Sequence, residues 1–169
     1  MDTYVCYTDG SFGNAGETHG GVVYWNGSVE SSNCIHVYTT RPDFTSMRNV
    51  GGEILAAYAC IVSFIGKAQK LTEEVGLNLI KLKIVYDYEG VGKWVKGEWK
   101  AKKPATQWYV KRIRDLLEAT PNLQVEWIWV RGHMGHAGNE LADKVADYNM
   151  SYAKSHNITV VDMASAIDL

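Results

Sequence analysis

The chain has 169 residues, of which 46% are hydrophobic and 21% charged, with a formal net charge of −2 at pH 7. This composition is typical of one globular domain and excludes a disordered chain or a small disulfide-stapled scaffold. The start MDTYVCYTDG lacks the apolar core of a signal peptide, and no apolar run approaches the ~20 residues of a membrane span. Because the three cysteines are an odd count without zinc-ligand spacing, we expect reduced thiols in a cytoplasmic protein.

The first part of the chain predicts three antiparallel strands followed by a long helix. Residues 4–9 (YVCYTD) are β-branched and aromatic, and they lead into the glycine-rich turn DGSFGNAG. GGVVYWNG and SVESSNCIHVYTT predict two further strands, with a strong hairpin signal at Asn26-Gly27 between them. From about Ser46 apolar residues recur at helical spacing, so residues 49–70 predict a long, largely buried helix.

The second part alternates between strands and helices. LKIVYD predicts a fourth strand, YEGVGKWVKG a short helix, TQWYVKRIRDLLEA a helix and QVEWIWV a fifth strand. Asn139 is expected to cap a last helix that runs to about Ser155. The order β-β-β-α-β-α-α-β-α predicts an α/β fold with a five-stranded mixed sheet flanked by helices. We expect a single domain over residues 1–155 and a tail of unassigned role over residues 156–169.

A basic, aromatic segment lies between Lys93 and Arg114. It has eight Lys or Arg residues against the single acid Glu98, so it carries +7 and the rest of the chain −9. Trp94, Trp99, Trp108 and Tyr109 are interleaved with these charges. A solvated helix face explains most such runs, and a surface for a phosphate backbone is the alternative. On this segment alone both interpretations stay open, and Trp94 and Trp99 are equally compatible with the core.

Four acids stand at the ends of predicted elements. Asp9 follows the first strand, Asp87 ends the fourth, Glu53 opens the long helix and Asp143 lies on the last helix. Each alone is compatible with an ordinary cap or, for Glu53, with the helix dipole. Together in one place they would repel unless cations neutralised them, and carboxylate oxygens are ligands that Mg²⁺ prefers. Two such ions can activate a water in phosphodiester hydrolysis.

Four segments carry a resemblance to a known family. YTDGSFGNAG, NVGGEILAAYA, IVYDYEGVGKWV and WVRGHMGHAGNELADKVAD resemble, in this order, the signature blocks of type 1 ribonuclease H over about residues 4–150. Within them, YDYEGVGKW resembles some bacterial and phage members of the family most. The fold of that family, a five-stranded mixed sheet with three antiparallel strands first, agrees with the predicted order. The resemblance implies an endoribonuclease that cleaves the RNA strand of RNA–DNA hybrids without sequence preference, as a monomer, and leaves 5′-phosphate and 3′-hydroxyl ends.

The resemblance also implies roles for individual residues. Two Mg²⁺ ions, which Mn²⁺ is expected to replace, would be bound by Asp9, Glu53, Asp87 and Asp143, with Asp9 bridging both. His133 matches a mobile histidine that assists proton transfer or product release, and His136 a second, more structural histidine. The hybrid contacts that the resemblance implies are Gly10, Ser11, Asn14, Asn49, Lys96, Trp99, Lys100, Lys102 and Lys103.

Two residues depart from the family pattern, and other interpretations stay open. Glu89 stands where the family often has Gln, and its extra carboxylate would repel phosphate or recruit a cation. Val50 stands where many members have Asn. The alternatives are a nuclease acting on another duplex or on DNA, a nucleic-acid-binding module that does not cleave, and a domain of a larger polyprotein such as a reverse transcriptase. Four mutually repelling carboxylates argue against the binding module, and a first strand at residue 4 weakly opposes the polyprotein.

Overall fold

The computed structural model describes residues 2–13, 15–27, 32–76, 78–132, 135–147 and 157–169. These ranges contain the three successive strands and the later alternation of helices and strands that the sequence predicts, together with a short helix and a strand that it does not. In chain order the elements are β1 (Asp2–Phe12), β2 (Thr18–Trp25), β3 (Asn33–Thr39), α1 (Pro42–Thr45), α2 (Asn49–Val75), β4 (Ile80–Tyr86), α3 (Gly90–Lys96), α4 (Pro104–Glu118), β5 (Leu123–Trp129), α5 (Ala137–Ala146) and β6 (Thr159–Asp162).

The strands form one mixed sheet in the order β5-β4-β1-β2-β3-β6. The first three strands pair antiparallel, whereas β4, β5 and β6 each pair parallel with their neighbours. The mixed α/β class is therefore confirmed, but the prediction of five strands is one too few. The sixth strand, β6, lies in the segment that was expected to be a tail. Its four residues are all exposed, so they lack the alternation of buried and exposed positions that makes a strand visible in a sequence.

The predicted hairpin between β2 and β3 forms, but not through a two-residue turn. The last antiparallel pair of the two strands is Tyr24 with Asn33. The connection is therefore longer than the signal at Asn26-Gly27 suggested, and residues 28–31 of it lie outside the described ranges.

Helices α2 and α5 cover opposite faces of the sheet. Successive residues of a strand point to opposite faces, and a Cβ on Gly20 would lie 2.8 Å from the Gly52 carbonyl oxygen of α2. On the next residue, Gly21, a Cβ would collide with the Ala142 carbonyl oxygen of α5. The main core lies under α2, and a smaller apolar cluster that includes Ala142 lies under α5. Glycines thus let both helices contact the backbone of β2.

Helix α2 is the main core helix, and it extends beyond the predicted residues 49–70. Gly66 does not interrupt it, and it ends before Gly76, whose φ is +79°. Contrary to the sequence-based expectation, α2 is long and apolar enough to cross a membrane, with a mean hydropathy of 1.5 over its most apolar window. However, 67% of that window is buried inside the protein, as is typical of a core helix.

Helix α5 begins three residues earlier than the sequence suggested. His136 occupies the N-cap position, and Asn139 lies inside the first turn. The prediction of a cap at Asn139 is wrong because this side chain is buried, with only 6% of its surface exposed. Residues 148–156, and with them the predicted end near Ser155, lie outside the part of the chain that the structure describes.

Residues 157–169 form a C-terminal segment that closes one edge of the molecule. Met163 and Ile167 enter the main core. The indole Nε1 of Trp108 in α4 donates a hydrogen bond of 2.7 Å to Asp168 Oδ1. At the end of the segment, Arg41 Nη2 donates a bond of 3.3 Å to the Leu169 carbonyl oxygen. The C-terminal segment therefore connects β3, α4 and the start of α1.

Candidate active site

Three of the four predicted acids meet at one edge of the sheet. Asp9 lies on β1 and Asp87 directly follows β4, which is the parallel neighbour of β1. Glu53 comes from the first turns of α2. One carboxylate oxygen from each of the three side chains lies within 4.8 Å of the other two. The sheet and the long helix together build this acidic cluster of Asp9, Glu53 and Asp87.

Two glycines allow Glu53 to reach Asp9. A Cβ on Gly10 would collide with the Asn49 carbonyl oxygen and the Glu53 nitrogen, and a Cβ on Gly52 would collide with the His19 carbonyl oxygen. Because neither glycine has a Cβ, the first turn of α2 lies directly on the backbones of β1 and β2. Gly10 also donates a backbone hydrogen bond of 2.9 Å to Asp9 Oδ1. The glycines therefore place the carboxyl groups, which is a steric role.

The acidic cluster has an unusual electrostatic state because it is buried. Asp9 is 7% exposed and Glu53 is 3% exposed. Burial, reinforced by the charges of Asp87 and Asp143, raises the pKa of Asp9 to about 7, although hydrogen bonds with Glu53 and Gly10 oppose the rise. Burial, and then the Asp9 charge, raise the pKa of Glu53 well above its usual range. Without a cation, the Asp9–Glu53 pair therefore retains a proton at neutral pH.

The donor set fits a hard divalent cation. Glu53 Oε2 is buried and has no hydrogen-bond partner among the described residues. An unpaired buried acceptor is costly, and a cation bound by the acidic cluster would satisfy it. Three carboxylates with room for retained waters are the kind of ligand set that Mg²⁺ takes in proteins.

Asp143 faces the acidic cluster across a cleft. It is exposed on α5, and its carboxylate is not part of the tight group of three. It nevertheless lines a cleft of about 250 Å³ together with Asp9 and Asp87. The cleft thus separates a compact group of three carboxylates from a fourth on the facing helix.

The same cleft has lining residues that the sequence analysis did not assign to it: Asn139, Glu140 and Lys144. Helical spacing was the available signal, because residues four apart lie on one helix face. Asn139 and Glu140 stand four positions before Asp143 and Lys144. Asn139 Oδ1 is buried without a hydrogen-bond partner in the described part of the chain, so it can bind a water or a ligand in the cleft.

His133 itself lies outside the described residues, but the loop that carries it starts at the cleft. A Cβ on Gly132 would lie 3.1 Å from Asp87 Oδ2. The indole Nε1 of Trp129 donates a bond of 2.9 Å to the Asp87 carbonyl oxygen, which fixes the end of β5 against this acid. His136, the second predicted histidine, is exposed at the N-cap of α5 and makes no side-chain cap bond.

A basic groove lies next to the acidic cluster, and several predicted hybrid contacts line it. Its volume is about 430 Å³, and Asn49, Lys100, Lys102 and Lys103 lie along it with Tyr88 and Trp94. Arg48, which the sequence analysis did not single out, also lines this groove. Its φ of 56° is rare for a residue other than glycine, and nothing in the sequence signals it.

The remaining predicted contacts are placed differently. Lys96 is exposed on α3, and Trp99 is half-buried with its ring centroid 5.8 Å from that of Trp94. Neither is a lining residue of the basic groove. Ser11 Oγ donates a bond of 2.7 Å to Asp147 Oδ1, and Asn14 lies outside the described ranges.

Glu89, one of the two departures from the family pattern, is paired. Its Oε1 atom lies 3.3 Å from Lys93 Nζ, one helical turn away, and this ammonium also lies 5.4 Å from the centre of the Trp99 ring. The pairing offsets the additional negative charge beside Asp87. The exposed ion pair itself contributes little to stability.

Comparison with known proteins agrees with this architecture. The model of the RNase H family matches residues 1–151. The chain belongs to the RNase H family. The ribonuclease H of Polynucleobacter asymbioticus is 35% identical over 153 residues, which cover 85% of this chain and 86% of that protein. The ribonuclease H of Aromatoleum aromaticum is 32% identical over 151 residues, which cover 86% and 88% of the two chains. The predicted family and enzyme class are therefore confirmed.

Solved RNase H structures share the fold. LC11-RNase H1, isolated from compost by a metagenomic approach, has a TM-score of 0.62 at 21% identity, with 91% of this chain and 99% of that chain covered. LC11-RNase H1 in complex with an RNA/DNA hybrid has a TM-score of 0.57 at 19% identity, with coverage of 85% and 96%. The family match stops at residue 151, so β6 and the rest of the C-terminal segment lie beyond it.

Proposed function

We propose that this RNase H family chain is an endoribonuclease that hydrolyses the RNA strand of RNA–DNA hybrids. Cleavage is independent of sequence, uses two Mg²⁺ ions, for which Mn²⁺ can substitute, and leaves 5′-phosphate and 3′-hydroxyl ends. The observation that carries the proposal is the acidic cluster of Asp9, Glu53 and Asp87, with Asp143 across the cleft. An RNA/DNA hybrid is what the structural relative LC11-RNase H1 binds in its crystal structure.

The four acids have distinct roles in this proposal. Bound metal ions would activate the attacking water and stabilise the leaving oxygen. Asp9, Glu53 and Asp87 would hold one ion, and Asp9 and Asp143 would hold the other. The proton that Asp9 and Glu53 retain without metal must leave before both can serve as ligands. His133, in the loop that starts beside Asp87, assists proton transfer or product release.

The hybrid contacts follow from the surfaces that flank the acidic cluster. Lys100, Lys102 and Lys103 supply positive charge for the phosphate backbone, and Tyr88 and Trp94 add aromatic walls to the basic groove. On the other side, Gly10 and Ser11 continue β1 beyond Asp9 and would contact the phosphates, although α2 covers the open face of Gly10. Asn14 and Asn49 provide amides for 2′-hydroxyl groups, through which a protein distinguishes RNA from DNA.

We further propose that the chain works as a monomer in the cytoplasm. Cys6, Cys34 and Cys60 are all buried and free. Buried free thiols fit a reducing compartment, in which structural disulfides are rare.

Cleavage of an end-labelled RNA–DNA hybrid, beside RNA–RNA and DNA–DNA duplexes, tests the function. The reactions are run with Mg²⁺ or with EDTA, and with Asp9→Asn and the matched control Asp2→Asn, an exposed acid at the start of β1. We expect cutting of the RNA strand in the hybrid alone, dependent on Mg²⁺ and on Asp9 but not on Asp2.

Each other outcome would assign a different function to the protein. Hybrid binding without any cutting would mean a binding module, and cutting of another duplex would mean a nuclease of another specificity. Unchanged turnover in a folded Asp9→Asn variant would remove the two-ion mechanism.

A further inference from the structure

A hydrogen bond joins strand β1 to helix α5 beside the candidate active site. Ser11 Oγ donates a bond of 2.7 Å to Asp147 Oδ1, and the two residues are 136 positions apart in the chain. Asp147 is the C-cap residue of α5. Its backbone nitrogen in turn donates a bond of 3.0 Å to the Asp143 carbonyl oxygen. We call the bond between Ser11 and Asp147 the β1–α5 link.

Strand register places the β1–α5 link on the same face of the sheet as Asp9. Residues two apart in a strand point to the same face, so Asp9 and Ser11 share one face of β1. Asp9 pairs with Gly21 of β2, and directly opposite residues of paired strands also share a face. A Cβ on Gly21 would collide with the backbone of α5. Asp9 and Ser11 therefore both face α5.

Helical spacing gives α5 a matching pair of acids. Asp143 and Asp147 are four positions apart, so they lie on one face of the helix. Four residues of a helix span about 6 Å, and two residues of a strand span about 7 Å. Asp143 opposite Asp9 and Asp147 opposite Ser11 are therefore neighbouring pairs across the same gap. The first pair borders the cleft of the candidate active site, and the second is closed by the β1–α5 link.

Helix α5 also contacts β1 on the other side of Asp143. A Cβ on Gly138, near the start of α5, would collide with the ring of Tyr7. Tyr7 precedes Asp9 by two residues, so it lies on the same face of β1. Contacts with β1 thus lie on both sides of Asp143, and the β1–α5 link is the contact towards the C-terminal end of the helix.

The chemistry of the β1–α5 link suits a positioning role. A carboxylate accepts hydrogen bonds more strongly than a neutral oxygen does. Asp147 is exposed and is not a lining residue of the cleft that Asp9 and Asp143 border, so it is not placed as an ion ligand there. Ser11 has one hydroxyl hydrogen, which this bond uses. A contact between Ser11 and a phosphate would therefore use other atoms of the residue.

We propose that Ser11 and Asp147 are positioning residues whose hydrogen bond sets the separation between α5 and β1. This separation fixes the geometry of the second ion site, between Asp9 and Asp143. The inference rests on the proposed function, because that function supplies the second ion. The first ion is held by the acidic cluster, which contains no residue of α5. Loss of the β1–α5 link should therefore weaken binding of the second ion and spare the first.

Binding of Mn²⁺ to the hybrid-free protein tests the proposal. Electron paramagnetic resonance measures the free Mn²⁺, and the parent should bind one ion tightly and one more weakly. Ser11→Ala and Asp147→Ala should each raise the Kd of the weaker ion roughly threefold to tenfold, the size of one lost hydrogen bond. The Kd of the tighter ion should stay unchanged, which a general loss of stability would not produce. Without the hybrid, contacts of Ser11 with phosphates have no effect on the result.

Asp147→Asn separates the position of α5 from the charge of Asp147. The amide oxygen can still accept the hydrogen of Ser11, so this variant should bind the weaker ion nearly as well as the parent. If the charge of Asp147 attracted the cation instead, Asp147→Asn would match Asp147→Ala, and Ser11→Ala would match the parent. That result would overturn the proposal. The matched control is Asp115→Ala, an exposed acid of α4 that accepts a hydrogen bond from Lys111, and it should leave both Kd values unchanged.

A double-mutant cycle tests the β1–α5 link itself without metal. Urea unfolding compares the parent, Ser11→Ala, Asp147→Ala and the double variant. We expect Ser11→Ala to change the unfolding equilibrium roughly threefold to tenfold when Asp147 is present, and little in the Asp147→Ala background. Asp147→Ala also removes an anion from the C-terminus of α5, where it is unfavourable, and the cycle cancels this effect. Additive effects of the two substitutions would overturn the link.

Failure of the proposed function and failure of this inference give different results. A parent that bound no Mn²⁺, or one ion alone, would overturn the two-ion mechanism and the positioning role with it, whereas the double-mutant cycle would still show whether the hydrogen bond forms. Two bound ions with an unchanged Kd of the weaker ion in Ser11→Ala would overturn the positioning role alone.

Discussion

At the scale of single residues, the acidic cluster lowers the stability of the metal-free protein at high pH, because its carboxylates are buried. The pKa of Asp9 is raised from 3.8 to about 7 by burial, so the folded state favours the protonated acid. The stability that this preference contributes is fully present below about pH 4, and it is lost as the pH rises through 7. At pH 8 the metal-free protein therefore carries an unfavourable buried charge.

Asp9→Asn should stabilise the metal-free protein while abolishing cleavage. Each pKa unit corresponds to about 1.4 kcal/mol, so a gain on the order of 2 kcal/mol is expected at pH 8, after allowance for coupling to Glu53. The gain should shrink towards pH 4.5. Urea unfolding at both values measures it, with Asp2→Asn as the control. A destabilised Asp9→Asn protein would show that the carboxyl group has a structural role.

Mg²⁺ should make the parent more stable than Asp9→Asn, which is the reverse of the order without metal. The cation neutralises the carboxylates and binds only the folded state, so it should raise the Tm of the parent more than that of Asp9→Asn. Because ligands must be deprotonated, binding near pH 7 should also release a proton. Calorimetry in two buffers of different ionisation enthalpy measures this release. Metal binding without proton release would contradict a shared proton between Asp9 and Glu53.

His133→Ala should lower turnover by roughly 10²–10⁴-fold if this histidine transfers a proton, and by less if it only assists product release. The affinity for the hybrid should be retained, because the acids and the basic groove are unchanged. Single-turnover kinetics compare it with His136→Ala, which removes an exposed N-cap side chain without a cap bond. Equal effects of the two substitutions would assign the loop a purely structural role.

Some residues of the candidate site could be predicted from the sequence, and others could not. Asp9 and Asp87 could be predicted because each comes after an apolar run, and Glu53 because it opens an apolar helix. Strand β1 nevertheless continues past Asp9 to Phe12. Arg48 could not, since its place in the basic groove depends on a backbone φ of 56°.

At the scale of elements, α2 shows what glycine does in two different environments. At Gly52 a Cβ would collide with the backbone of β2, whereas at Gly66 nothing lies within 4 Å of an added Cβ. Both residues are in the same helix, so the intrinsic preference of alanine for helix is the same at each.

Gly52→Ala should therefore destabilise the protein by more than about 2 kcal/mol, and Gly66→Ala should stabilise it by about 0.5–1 kcal/mol. Gly52→Ala should also impair cleavage, because the collision moves the start of α2 away from β2 and displaces Glu53 from Asp9. Thermal unfolding and hybrid cleavage of the two variants measure both effects. A neutral Gly52→Ala would mean that the contact between α2 and β2 is looser than in the structure.

Elements with a clear apolar pattern were predicted best. Helix α2 followed from its helical spacing of apolar residues, and β4 and β5 from short apolar runs. Helix α1 spans only Pro42–Thr45, which is too short for such spacing to appear. The start of α5 was misplaced because a buried Asn139 resembles a capping residue in the sequence.

At the scale of the whole molecule, the C-terminal segment is part of the core. Ile167 is 3% exposed, and Leu169, two residues on, is 47% exposed. Ile167→Ala should lower the free energy of unfolding by about 2–4 kcal/mol, whereas Leu169→Ala should change it by less than about 0.5 kcal/mol. Urea unfolding compares the two. Similar small losses would mean that residues 163–169 do not pack on the core in solution.

Strand β6 also has a consequence for biosynthesis. It pairs with β3, from which it is separated by most of the chain. On the ribosome, β3 is therefore made long before its outer neighbour, and its free N–H and C=O groups are available to other nascent or newly released chains. Translation that stops between α5 and β6 would release polypeptides that carry all four acids but expose an open sheet edge. Such fragments are expected to self-associate, so intact synthesis through residue 162 governs the yield of dispersed protein.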